Sequence, residues 1–97
     1  MELLKIIITK VVSQEESVID FKKATFTKFG VDYNLDQEAM EKTTRALENV
    51  CIKEPDGVVK YTITFCYEND VKKRYMVDPI YTQAIESVER KLKSLNI

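Results

Sequence analysis

Histidine and tryptophan are absent from this 97-residue sequence, which has only two residues each of glycine, proline and cysteine. Without histidine, the chain cannot form the serine–histidine or cysteine–histidine pairs of many hydrolases, nor a histidine-ligated metal site. The two glycines, Gly30 and Gly57, are too few and too far apart for a phosphate-binding loop of the usual kind. These absences argue against catalysis, and we expect a non-enzymatic protein without a cofactor.

The two cysteines, Cys51 and Cys66, do not form a Cys-x-x-Cys motif and fall on different predicted elements. We therefore expect two free thiols, packed as small hydrophobic side chains in a reducing compartment. The N-terminal apolar run is interrupted by Lys5 and Lys10 and is too short to span a membrane. We expect a cytoplasmic protein that does not bind a membrane.

The composition is typical of a folded globular protein, with 44% hydrophobic and 32% charged residues. At this length we expect one domain over residues 1–97. The formal net charge of −1 disfavours non-specific binding to duplex nucleic acid, which depends on phosphate neutralisation. Low glycine, proline and arginine contents with abundant lysine and isoleucine hint at an AT-rich genome, such as that of a low-GC bacterium or its phage.

The segment from Val58 to Val77 has the clearest pattern, two predicted strands joined by a short loop. Alternation places one apolar row on one face of the first strand: Val59, Tyr61, Ile63, Phe65 and Tyr67. We prefer a three-residue loop over 68–70, in which Asn69 or Asp70 adopts a left-handed conformation. The opposing pairs are then Tyr67–Val71, Phe65–Lys73, Ile63–Tyr75 and Tyr61–Val77. A two-residue loop would instead move Lys72 and Arg74 onto the apolar row.

The other face of this hairpin suits solvent or a partner, and it carries Thr62, Thr64, Cys66, Lys72, Arg74 and Met76.

At the N-terminus, the segment 3–12 predicts a strand with apolar residues on both faces, which is typical of a central strand. After the polar break at 13–17, the sequence is compatible with a strand over about 18–31 or with a short helix capped by Ser13. We choose the strand, because β-branched and aromatic residues are frequent from Ala24 onward.

Two segments predict amphipathic helices. The first covers 34–51 with Asn34 as its N-cap, and its buried stripe is Met40, Thr43, Leu47 and Val50, flanked by Ala39, Ala46 and Cys51. The second begins with Asp78 as N-cap and Pro79 in the first helical position. Its predicted buried stripe is Tyr81, Ala84, Ile85, Val88, Leu92 and Leu95. On its exposed side we expect the ion pairs Glu86–Arg90 and Glu89–Lys93.

The predicted order of elements is therefore strand, strand, helix, strand, strand, helix (ββαββα). We predict an α+β fold in which a four-stranded, mainly antiparallel sheet carries two helices on one face. This layering leaves the other face of the sheet open to water or to a partner.

The acidic segment 32–38 resembles the first half of a calcium-binding EF-hand loop. Asp32, Asn34 and Asp36 match the first three ligand positions of that loop. The sixth position, which requires glycine, holds Gln37, and the twelfth, which requires glutamate, holds Thr43. We therefore interpret the segment as an acidic helix cap and expect no bound metal.

Three consecutive basic residues, Lys72, Lys73 and Arg74, lie between Tyr67 and Tyr75 in the hairpin. Many sheet-based modules bind single-stranded nucleic acid through aromatic and basic residues on strands. In this hairpin the aromatic residues fall on the predicted buried row, and the signature of RNA-recognition motifs is absent. Binding of single-stranded nucleic acid by the hairpin over 58–77 is therefore the alternative interpretation.

A protein-binding module is our first interpretation: an inhibitor, adaptor or accessory subunit that acts through an exposed sheet face or edge. Its partner would be another protein or, as a variant, a second copy in a homodimer. Tyrosine and arginine are frequent interface anchors. The candidate partner-binding residues are Tyr33, Tyr67, Lys72, Arg74 and Tyr75.

Overall fold

The computed structural model describes residues 1–94, which form seven strands and two α-helices. In chain order these are β1 (Leu3–Lys10), β2 (Glu15–Asp20), β3 (Thr25–Lys28), β4 (Val31–Asn34), α1 (Gln37–Asn49), β5 (Cys51–Ile52), β6 (Tyr61–Tyr67), β7 (Lys72–Val77) and α2 (Thr82–Ser94). A 3₁₀ turn at Glu68–Asp70 joins β6 to β7, and another at Pro79–Tyr81 precedes α2.

All seven strands belong to one antiparallel sheet in the order β4-β3-β2-β1-β6-β7-β5. The α+β class and the two helices agree with the prediction, but the predicted four-stranded sheet is wrong. The segment expected to form one strand over 18–31 folds into most of a three-stranded meander, β2 to β4. Turns interrupt it where Ala24 and Phe29 adopt positive φ angles of 54° and 52°. The two-residue strand β5 was also not predicted.

β1 is the central strand, as predicted, because it pairs with β2 on one side and β6 on the other. Ile6 and Ile8 of this strand are buried against side chains from both helices. The core comprises Ile6, Ile8, Ile19, Phe26, Leu35, Met40, Leu47, Val50, Tyr61, Ile63, Phe65, Val77, Ile85 and Leu92. Both helices therefore cover the same side of the sheet.

The register of the β6–β7 hairpin is confirmed, since Ile63 pairs with Tyr75 and Phe65 with Lys73. The three-residue loop is confirmed as well, and both Asn69 and Asp70 adopt positive φ angles, of 63° and 60°. Strand β6 begins at Tyr61 rather than near Val59.

α1 begins three residues later than predicted. Asp36, not Asn34, is its N-cap: the Asp36 carboxylate accepts a hydrogen bond from the Ala39 N–H at 2.7 Å. Asn34 is the last residue of β4, where it pairs with Thr25. The predicted stripe of α1 is confirmed for Met40, Thr43, Leu47 and Val50, which are buried, but Ala46, expected to flank it, is exposed.

The start of the second helical segment is confirmed in part. The Asp78 carboxylate accepts a hydrogen bond from the Ile80 N–H at 3.0 Å, but the turn that begins at Pro79 is a 3₁₀ turn. The predicted stripe is correct for Ile85 and Leu92, which are buried, whereas Tyr81 and Ala84 are exposed. Leu95 lies outside the described residues.

Replacing Asp36, the N-cap of α1, should test where this helix begins. We expect Asp36→Ala to lower the free energy of unfolding by about 1 kcal/mol, because the Ala39 N–H loses its acceptor. Asp36→Asn keeps an acceptor oxygen and should cost less. Urea unfolding monitored by circular dichroism measures both, and equal losses for the two variants would contradict the cap.

Candidate binding surface

The side of the sheet that faces away from both helices is referred to here as the open face. Strand register aligns its side chains in three rows that cross the strands. The first row is Asn34, Thr25, Asp20, Lys5, Cys66 and Lys72. The second is Asp32, Thr27, Val18, Ile7, Thr64 and Arg74. The third is Glu16, Thr9, Thr62, Met76 and Ile52.

The centre of the open face carries aliphatic and threonine side chains. Ile7 and Val18 are half-buried, although no helix covers them. Thr9 and Thr62 are only 7% and 6% exposed. The Arg74 guanidinium lies against Thr62 and donates a hydrogen bond to its hydroxyl at 3.4 Å. The centre is therefore mildly apolar and rich in methyl groups.

Charges on the open face are divided between its two halves. The acidic half comprises Glu16 and Asp20 on β2 and Asp32 on β4. On the other side of β1, the basic half carries Lys72 and Arg74 on β7. Lys5 lies on β1, between the two halves. The open face is therefore acidic on the β2–β4 side of β1 and basic on the β7 side.

The structure brings four of the five predicted partner-binding residues together on the β6–β7 hairpin but divides them between two faces. Lys72 and Arg74 lie on the open face, whereas Tyr67 and Tyr75 lie on the side that the helices cover. Tyr33 is remote from all four. It lies on β4, near the opposite edge, where its ring centroid is 6.1 Å from that of Phe26.

Tyr67 and Tyr75 are residues of the core edge. The Tyr75 ring makes an edge-to-face contact with Phe65, with centroids 5.8 Å apart, and the Lys73 ammonium lies 5.6 Å from the Tyr67 centroid. Burial, followed by the influence of Tyr75 and Glu48, raises the pKa of the Tyr67 hydroxyl. Both rings border a concavity of about 210 Å³ beside α1, so they do not contribute to the open face.

The free edges of the sheet are short or charged. β5 pairs only with Met76 and Val77, which leaves the outer side of β7 without a strand neighbour over 72–75 in the described part of the chain. That stretch includes Lys72, Lys73 and Arg74, and charged side chains on an edge oppose strand addition. The other edge strand, β4, has four residues.

A buried polar cluster that the sequence analysis missed lies between α2 and the sheet. The Glu89 carboxylate accepts hydrogen bonds from the Ser17 hydroxyl at 2.7 Å and from the Lys28 ammonium at 3.1 Å. The expected exposed pair Glu89–Lys93 is wrong, because Glu89 is only 6% exposed and faces the sheet. Burial, and then carboxylates led by Glu89, raise the pKa of the nearby Tyr61 hydroxyl.

This cluster fixes α2 on the sheet rather than presenting a reactive group. Ser17 is 2% exposed and its hydroxyl already donates to Glu89. The cavity beside the cluster, lined partly by Tyr61 and Lys10, has a volume of only about 50 Å³. A pattern of apolar residues cannot reveal such a cluster, because Ser17 and Glu89 are 72 residues apart in the sequence.

Glu89→Leu should destabilise the protein by about 3 kcal/mol, because it leaves the largely buried Lys28 ammonium and the Ser17 hydroxyl without their acceptor. The double variant Lys28→Met/Glu89→Leu should recover much of this loss, since it removes both charges. Urea unfolding of Lys28→Met, Glu89→Leu and the double variant measures the coupling free energy between the two side chains. If the double variant loses as much unfolding free energy as the two single variants together, the ion pair is contradicted.

Both cysteines are free, as predicted. The Cys51 thiol donates to the Leu47 carbonyl at 3.1 Å, and burial, assisted by Glu48, raises its pKa to about 11.

We expect Cys51, in a Cys66→Ser background, to react with iodoacetamide at pH 8 about a hundredfold more slowly than in the urea-unfolded chain. Equal rates in the folded and unfolded chains would contradict the burial of this thiol.

Within residues 1–94, no group of three or more cysteine, aspartate or glutamate side chains could hold a metal ion. The three residues that resemble EF-hand ligands have separate contacts: Asp32 accepts from the Thr27 hydroxyl, Asn34 pairs within the sheet and Asp36 caps α1. In the same range, neither helix has the length and apolar character needed to cross a membrane.

Comparison with known proteins identifies no relatives: no protein-family model, curated protein or solved structure matches this chain.

Proposed function

We propose that this protein is a small non-enzymatic protein-binding module whose open face is the docking surface. The observation that carries the proposal is the layering of the fold. Both helices cover one side of the sheet, and the other side presents a continuous surface centred on Ile7 and Val18. A mildly apolar centre with a charged periphery is the usual anatomy of a reversible protein interface.

The face supports protein binding better than the edges do. An incoming strand would have to approach either the consecutive charges of Lys72, Lys73 and Arg74 or the short strand β4. Edge charges of this kind oppose strand addition. The open face has no comparable obstacle, because its charges other than Lys5 lie on both sides of a mildly apolar centre.

Single-stranded nucleic acid is a weaker candidate for the same surface. Its three described rows contain no aromatic side chain on which a base could stack. Tyr67 and Tyr75 lie on the helix-covered side, and three carboxylates on the open face would repel phosphates. The arrangement therefore favours a protein partner.

Val18→Glu should remove partner binding without unfolding the chain, because it places a charge at the centre of the docking surface on a half-buried, helix-free position. The matched control is Ala46→Glu, at an exposed position on α1. Partners are captured from nuclease-treated lysate of the native host and identified, and their affinity is then measured by titration calorimetry.

We expect at least about a tenfold loss of affinity for Val18→Glu and no change for Ala46→Glu. A partner that binds Val18→Glu as well as the unchanged protein would contradict the proposal. A parallel capture from untreated lysate that retains nucleic acid alone, with the retention abolished by Lys72→Glu/Arg74→Glu, would favour the nucleic-acid alternative instead.

A further inference from the structure

We infer that the open face binds a second copy of this chain, related to the first by a two-fold axis parallel to β1. This inference rests on the proposed function, because it names the occupant of the same docking surface. Its basis is the division of charge across the sheet, with β1 as the dividing strand.

A two-fold axis along β1 reverses the order of strands across the interface. Strand β7 of one copy then lies over β3 of the other, between its neighbours β2 and β4. By the same symmetry, β3 of the first copy lies over β7 of the second. Lys72 falls near Asp20 of the second copy, because both belong to the first row. Arg74 falls near Asp32 of the second copy, because both belong to the second row.

A two-fold axis across the strands would be electrostatically unfavourable. It would place each strand over its own copy, so that the first row of one molecule meets the third row of the other. Asp20 would then face Glu16, and Asp32 would face its own counterpart. Like charges placed opposite each other suppress this arrangement, so the charge pattern favours the axis along β1 over the axis across the strands.

The uncharged centre fits the same axis. Ile7 lies on β1 in the second row and would contact its own counterpart. Val18 and Thr64 flank it on either side, so that Val18 of each copy meets Thr64 of the other. Lys5 would approach its own counterpart, but Asp20 of each copy lies beside this pair and compensates its charge.

The size of the surface suits a dimer of moderate affinity. The six strands from β4 to β7 in the order of the sheet, about 4.8 Å apart and about six residues long, cover roughly 29 by 20 Å. A contact over this projected area of about 600 Å² would bury several hundred Å² of accessible surface on each partner, which is close to the lower range of stable interfaces. Two sheets packed face to face in this way form a sandwich with layers about 10 Å apart.

Charge reversal tests the arrangement. One variant is Arg74→Glu, and the other is Glu16→Lys/Asp32→Lys. Asp20 and the Lys72 that faces it are both left unchanged, because the Asp20 carboxylate accepts from the Lys22 and Lys23 N–H groups in the β2–β3 turn. The matched control, Arg45→Glu/Arg90→Glu, reverses two exposed charges on the helices.

Sedimentation velocity at low salt and at protein concentrations up to about 1 mM gives the mass of each species. We expect the unchanged protein and the control to form a dimer of twice 11.3 kDa. Each reversed variant should self-associate at least about tenfold more weakly, and an equimolar mixture of the two should form the dimer again. Raising the salt concentration should weaken the dimer of the unchanged protein.

Restoration of the dimer in the mixture supports the inference, because only complementary halves that face each other across the interface can produce it. An unchanged protein that is monomeric throughout overturns the inference but not the proposed function, if Val18→Glu still abolishes binding of a different protein. A dimer that persists in both reversed variants places the contact elsewhere and also overturns it. Reversed variants that dissociate and are not restored on mixing overturn the proposed axis.

Discussion

The pairing of β1 with both β2 and β6 is the interaction on which the rest of the structure depends. It joins the N-terminal meander to the β6–β7 hairpin in one sheet. Because alternate residues of a strand point to opposite sides, Ile6 and Ile8 enter the core while Ile7 lies at the centre of the open face. One strand therefore organises both the buried side of the sheet and the surface proposed to bind a partner.

Part of this architecture could be predicted because local patterns determine it. The alternation from Tyr61 to Tyr67, followed by a loop containing Asn69 and Asp70, defines the hairpin register without any long-range information. The division of the segment 18–31 could not be predicted. The first turn depends on Ala24 at positive φ, a conformation that alanine rarely adopts, and therefore has no recognisable signature. The second turn also has Phe29 at positive φ, and its one turn signal is Gly30, at a φ of 74°.

The same distinction applies to the candidate surface. Lys72 and Arg74 were correctly assigned to the solvent-facing side of the hairpin, because alternation decides their side. The acidic half could not be recognised, since Asp32 reaches the open face only through β4, a strand absent from the prediction. Glu89 was misassigned because its burial depends on partners, Ser17 and Lys28, that are distant in the sequence.

The composition of the open face is compatible with the proposed docking surface, because it limits non-specific association. A large exposed apolar patch promotes non-specific association, but here only Ile7 and Val18 form the aliphatic centre of the middle row, and threonines surround them. Charged side chains keep the free face hydrated. When a surface of complementary charge approaches, the same side chains determine the orientation of docking and accelerate it more than they increase affinity. In the proposed complex the contact area would then supply most of the binding free energy, and because its centre is only mildly apolar, we expect a reversible association.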